Sequence, residues 1–159
     1  MNIFLDAHLL VLKMFLDKKV DFILIGGYAV NFYGYNRATG DLDLWIQPDN
    51  NNKLLLITAL KELGFDEEGL SIINTWDFTQ PQVFHIWENP FKTDFLTRIT
   101  GVKYEEAKKN AIFADIDNLT IPFIHLNDLI KSKTYTNRLK DKVDVEYLEK
   151  ILVLRNKQP

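Results

Sequence analysis

Apolar positions along the chain follow two different periods. Over residues 3–18, Phe4, Leu5, Leu9, Val11, Leu12, Phe15 and Leu16 recur at helical spacing and predict a core-facing helix. Phe22-Ile23-Leu24-Ile25 is a short continuous apolar run ending at Gly26-Gly27, the pattern of a buried strand meeting a tight turn. Residues 28–34 read as a short helix packed on that strand. From Asp41 to Ile46 the period drops to two. Asp41, Asp43 and Trp45 fall on one side and Leu42, Leu44 and Ile46 on the other, which predicts a half-buried strand. Pro48-Asp49-Asn50-Asn51-Asn52 offers several helix caps ahead of a helix over 53–63 that Gly64 stops.

Residues 64–82 match no pattern, and within them 70–79 is ambiguous. Val83–Trp87 and Lys92–Leu96 read as strands joined by Glu88-Asn89-Pro90 in a hairpin. A helix near 103–110 follows, then an apolar stretch from Ile112 to Ile124 with a turn at Asp117-Asn118. Helices near 127–137 and 142–155 close the chain. This order predicts an α/β (α+β) fold with a mixed sheet and flanking helices. The expectation is one domain over 1–159: a mixed-sheet core over 1–125 and a C-terminal helical hairpin over 126–159.

Candidate chemistry centres on Asp41-Leu42-Asp43. Residues i and i+2 of a strand share a face, about 6.6 Å apart at the backbone. From that spacing two carboxylates can converge on a pair of metal ions, although Asp-x-Asp is also common on ordinary amphipathic strands. Gly26-Gly27 lies just upstream, between a strand and a helix. Its backbone can approach a ligand closely, and its amides with the helix N-terminus suit a phosphate; a plain tight turn is the competing reading. Asp94 stands inside a predicted strand, where an acid is disfavoured. It is either a charge guarding a sheet edge or a residue with a task.

In the C-terminal part, Leu126, Leu129, Ile130 and Lys133 form one helical stripe. A lysine on a buried stripe needs an anion, a route to solvent or a salt bridge to Asp141 or Asp144. Asp141 and Asp144 stand at the start of the last helix, where acids are stabilised by the helix dipole alone. A link from Asp144 to Lys133 or Arg138 across the helical pair is the expected detail. Lys131 points elsewhere and reads as surface. Arg37 and Thr39 precede the first Asp; Arg37 reaches a phosphate or acceptor, or else braces the loop against Asp41. His85 alternates on its strand and reads as structural. His8 and His125 have no metal-ligand spacing, so no zinc site is expected.

Composition narrows the classes. The chain has 159 residues, 47% of them hydrophobic and 13% aromatic, enough to bury a real core. With no cysteine there is no disulfide, thiolate metal site or cysteine nucleophile, which fits a reducing compartment. The N-terminus lacks a basic region and a cleavage site, and no apolar run approaches the ~20 residues of a membrane span, so a cytoplasmic protein is expected. A net charge of −3 argues against coating duplex DNA.

The stretch Ile25-Gly26-Gly27-Tyr28-Ala29-Val30, then Gly34, Arg37 and Thr39-Gly40-Asp41-Leu42-Asp43-Leu44, resembles the signature of the polymerase-β-type nucleotidyltransferase superfamily. That signature is a hydrophobic run into a glycine turn, a gap of about a dozen residues, Asp-x-Asp, and a third acid on a later strand. Leu129-Ile130-Lys131-Ser132-Lys133 and Arg138-Leu139-Lys140-Asp141-Lys142-Val143-Asp144 resemble its minimal AbiEii-like branch. The resemblance covers about 22–46 and 126–152. It implies a nucleotidyltransferase-like sheet and transfer of an NMP group from an NTP, ATP among them, to a hydroxyl acceptor: RNA, protein or a small molecule. It implies two Mg2+ ions on Asp41, Asp43 and Asp94, with Gly26 and Gly27 cradling the triphosphate and Arg37, Thr39 and Lys133 assisting. It further implies a toxin with a cognate antitoxin, or else a drug-modifying enzyme like the lincosamide nucleotidyltransferases. The alternative is an inactive nucleotide-binding or interaction module of the same fold.

Overall fold

The structure is a computed structural model and describes residues 3–36 and 38–157. The strands are β1 (Phe22–Ile25), β2 (Leu42–Ile46), β3 (Val83–Ile86), β4 (Thr93–Leu96), β5 (Ile112–Ile116) and β6 (Leu119–Phe123). The helices are α1 (Asp6–Asp17), α2 (Gly26–Phe32), α3 (Asn50–Glu62), α4 (Glu67–Asn74), α5 (Tyr104–Asn110), α6 (Leu126–Thr134) and α7 (Leu139–Asn156). The strands form one mixed sheet in the order β3-β4-β2-β1-β6-β5. The α/β expectation therefore stands, with a C-terminal pair of helices as anticipated.

Pairing directions decide where the chemistry falls. β1 and β2 run antiparallel with Ile25 opposite Asp43, so the end of β1 meets the start of β2. β4 runs parallel to β2 with Asp94 beside Asp43, so β4 begins at the same edge. β6 runs parallel to β1, and Ile124 donates its amide to the Leu24 carbonyl, so α6 also departs from that edge. Two strand ends and two strand starts thus converge, and residues distant in sequence meet there.

One face of the sheet packs under α1 and α2. Phe15 of α1 stacks on Phe95 at 5.5 Å and meets Phe22 edge-on, while Phe32 of α2 stacks on Phe123 at 4.1 Å. The opposite face is only partly covered. Trp45 is buried there against Tyr104 of α5, and its indole donates to the Thr97 carbonyl. This corrects the expectation of a half-buried β2: both faces are covered beyond Asp43, and only the end carrying the acids opens.

The ambiguous segment is α4 followed by a turn. Asp66 caps it by accepting from the Gly69 amide at 2.9 Å. Leu70 and Phe78 anchor it in the core. The buried Lys53 of α3 donates to the Asn74 and Trp76 carbonyls at 2.9 and 2.8 Å and closes its C-terminal end. The stretch from Ile112 forms a second hairpin, β5–β6, with Asp117 and Asn118 both at positive φ, the geometry of a primed two-residue turn. Helix boundaries differ from expectation by a few residues, and α2 starts at the glycines themselves. No helix among the described residues is long and apolar enough to cross a membrane.

Candidate active site

At the shared sheet edge lies a cleft of about 1190 Å³. Of the residues singled out from sequence, Gly26, Gly27, Thr39, Asp41, Asp43, Asp94 and Lys133 all line it. Arg37 lies outside the described residues. His85 pairs in register with Asp94 on β3, but it is exposed, 3.4 Å from Glu88 Oε1, and does not line the cleft.

Gly26 has φ of +71°, a conformation that side chains resist. A Cβ built on it would stand 2.7 Å from Asp43 Cγ. The glycine is therefore required twice over: by the turn into α2 and by the carboxylate packed against it. This is a stronger reason for glycine than a tight turn alone.

Asp94 sits on β4, an interior strand between β3 and β2, so its reading as an edge-guarding charge fails. Its place beside Asp43 on the same face creates an electrostatic problem. Burial, the charges of Asp94 and Asp41, and a hydrogen bond to Asp94 that needs the protonated acid push the Asp43 carboxyl up to about 7, against a pull from Lys133. Lys92 was not singled out from sequence. Its Nζ lies 3.5 Å from Asp94 Oδ1 and 3.9 Å from Asp41 Oδ2. Its position two residues before Asp94 on one strand was the available signal.

Lys133 is held from the C-terminal side. Its Nζ is 3.0 Å from Asp141 Oδ1 and 3.0 Å from Asp144 Oδ2, and the three side chains are 12%, 8% and 1% exposed. The expected link from Asp144 to Lys133 is present, and Asp141 joins it. These acids are buried partners of a lysine, not solvated charges serving only the helix dipole. Burial alone would raise the Asp141 carboxyl. Hydrogen bonds from Thr136 and Lys133 and the charges of Lys133 and Arg138 outweigh it and hold that carboxyl below its ordinary value. Arg98, Arg138 and Lys140 add positive charge around the cleft.

The donor set suits a divalent cation. Among the described residues no three acidic or histidine side chains stand as a ready metal cage. Instead the carboxylates draw on positive charge in other ways: the Lys92 ammonium lies between Asp41 and Asp94, and crowding raises the Asp43 carboxyl's hold on its proton. A hard cation with oxygen ligands meets the same demand.

A glycine turn at a strand end, carboxylates on neighbouring strands and a cationic wall thus meet in one cleft. Comparison with known proteins gives the class. The chain belongs to the family described as "Nucleotidyl transferase of unknown function (DUF2204)", whose model matches residues 5–157, and it is a nucleotidyltransferase. Two solved structures share the fold. The lincosamide antibiotic adenylyltransferase LnuA, solved with lincomycin bound, has a TM-score of 0.55 at 16% identity over 95% of this chain and 99% of its own. TM1012 of Thermotoga maritima, provisionally described as a nucleotidyltransferase, has a TM-score of 0.53 at 13% identity over 93% of this chain and 89% of its own. No curated protein sequence matches significantly.

Three outcomes follow. Gly26→Ala combines backbone strain with collision against Asp43 and should cost about 1–3 kcal/mol, read as a lower denaturation midpoint. Asp43 releases its proton near pH 3.8 when unfolded but near 7 when folded. Its contribution to stability therefore falls as pH rises through that window. Asp43→Asn should raise the melting temperature of metal-free protein at pH 8, and the gain should shrink steadily toward pH 4; a gain confined to low pH would contradict this. Lys133→Met leaves two buried carboxylates without their shared cation and should destabilise the fold by about 3–5 kcal/mol at neutral pH. The depressed Asp141 carboxyl sets the sign: this ion-pair contribution is present above the ordinary carboxylate range and is lost on acidification. The wild-type advantage over Lys133→Met should accordingly narrow below about pH 4.

Proposed function

We propose that the cleft binds a nucleoside triphosphate with magnesium and transfers its NMP group to a hydroxyl of a small-molecule acceptor. The acceptor oxygen bonds to the α-phosphorus, the bond to the β-phosphate breaks, and pyrophosphate leaves. The hydroxyl proton departs toward the Asp94 carboxylate. Asp41, Asp43 and Asp94 would hold the magnesium, as two ions. Bound there, magnesium neutralises phosphate charge and acidifies the acceptor hydroxyl. Gly26 and Gly27 let the triphosphate approach the backbone where α2 begins. Thr39 and Lys133 contact the phosphates, Arg37 completes that set, and ATP is the expected donor.

The observation that carries this reading is the meeting of Gly26, Asp41, Asp43 and Asp94 at one cleft from separate strands and loops. Support for a small acceptor comes from size and likeness. Drug-sized ligands occupy roughly 300–1,000 Å³, and a cleft of about 1190 Å³ leaves room beside a nucleotide. The nearly end-to-end likeness to LnuA, an adenylyltransferase solved with a small antibiotic, points the same way. Support for treating the whole chain as one catalytic unit comes from the cleft walls, which the sheet and the C-terminal helices share. The absence of cysteine fits a cytoplasmic setting.

The test incubates the protein with each α-labelled nucleoside triphosphate, Mg2+ and a lysate fractionated into small molecules, RNA and protein. Label should move to the small-molecule fraction with release of pyrophosphate, and Asp43→Asn should reduce the rate by at least about 100-fold. Label in RNA or protein would instead favour an AbiEii-like toxin with an antitoxin partner. Triphosphate binding without pyrophosphate release in any fraction would favour an inactive nucleotide-binding module.

A further inference from the structure

Two of the lysines that line the cleft are in opposite states of restraint. Lys133 is bolted down by two 3.0 Å contacts and is 12% exposed. Lys92 is looser. It touches Asp94 at 3.5 Å and Asp41 at 3.9 Å, neither a close hydrogen bond, and its side chain is 28% exposed. It lies between carboxylates as a point charge on a flexible stem. The backbone around it is firmly placed, because the Lys92 carbonyl accepts from the Leu42 amide at 3.1 Å at the start of the β2–β4 pairing. The stem can therefore swing while its root stays fixed.

Asp41 and Asp94 are two of the three acids assigned above to the metal, so Lys92 and a divalent cation compete for the same oxygens. We propose that Lys92 is a substrate-binding residue with two positions: against Asp41 and Asp94 in the protein alone, and against the triphosphate once a divalent cation takes those carboxylates. This rests on the nucleotidyltransferase reading and adds to it a named phosphate ligand on the sheet side of the cleft, facing Lys133 on the helical side. Like charges make the two arrangements exclusive. An ammonium cannot share the gap with a divalent ion, and an incoming polyphosphate is the nearest strong anion to receive it. Arginine at this position would keep the charge; methionine would keep only the stem.

The test measures two ligands on one pair of variants. Mn2+ binding is followed by electron paramagnetic resonance without nucleotide, and α,β-methylene-ATP binding by calorimetry at saturating Mn2+. Lys92→Met should bind Mn2+ more tightly and the analogue more weakly, each by about tenfold, the size of one hydrogen bond to a charged group. Lys92→Arg should stay near the wild type for both. Opposite movement of the two affinities is what a merely structural role would not produce, since a damaged site weakens both. Mn2+ should also raise the melting temperature of Lys92→Met more than that of the wild type, a readout independent of nucleotide. If the wild type binds both probes and Lys92→Met changes neither, or weakens both, the role of Lys92 is overturned and the enzymatic reading stands. If the wild type binds neither Mn2+ nor the analogue, both fall.

Discussion

Everything at this site depends on how carboxylates are held side by side on a sheet face without driving the strands apart. The register puts Asp43 beside Asp94, and Asp41 stands two residues before Asp43. Like charges so close destabilise a folded chain unless something positive intervenes. The Lys92 ammonium lies between Asp94 and Asp41, the Lys133 ammonium nearby draws on Asp43, and the crowding raises the Asp43 carboxyl's hold on its proton. Such crowding brings the strands nothing in stability. It gives the cleft a standing demand for cations, on which the proposed function relies.

The C-terminal helices matter through the same electrostatics. α6 leaves β6 at the acidic edge, and Lys133 on its last turn is fixed by Asp141 and Asp144 of α7. A buried ion triad of this kind contributes little net stability, but it permits few alternative arrangements. It holds one ammonium at a set height above the acids, and it ties α7 to the site although α7 contributes no strand-edge residue. Tyr35 stacked on Tyr147 at 4.2 Å and Arg155 over the Tyr33 ring pin the same helix to the segment that follows α2. The glycine turn and the lysine wall are thereby braced against each other.

Much of this was legible in the sequence because its signals are local. A continuous apolar run marks β1, a period of two marks β2, and Gly26-Gly27 and Asp41-Leu42-Asp43 stand next to those patterns. The misses share a different cause: each depends on a neighbour remote in sequence. α4 has a single buried residue, Leu70, and its C-terminal end is closed by Lys53 from another helix, so no stripe reveals it. The buried face of Trp45 is made by Tyr104. The link from Lys133 to Asp144 was expected, but that Asp141 and Asp144 share the one ammonium shows only once the two helices are packed. For Asp94 the sequence left an edge charge and a site residue both open, and only the pairing of β3 outside β4 removes the first. Lys92 is the instructive case, because its relation to Asp94 is local, yet a lysine two residues before an acid on a strand also reads as an ordinary surface ion pair.

Family membership settles the class of reaction but not the acceptor, and the structure indicates why these are separable. The acids and glycines come from strand ends and from the loops flush against them, where register fixes their positions. Much of the remaining cleft wall comes from loops: Pro81 and Asn89 around β3, the Arg98–Gly101 segment after β4, and Arg138 just before α7, while α6 and the start of α7 supply Lys133, Lys140 and Asp141. Loops tolerate change where paired strands do not. Gly101 packs against Tyr135, whose Cδ2 would stand 3.2 Å from a Cβ at that glycine, so the two loop walls touch each other and not only the sheet. A change in either wall can therefore be transmitted to the other without moving Asp43. On the proposed function, selection of the acceptor resides in this paired loop wall, and the sheet edge supplies chemistry that serves whatever the wall admits.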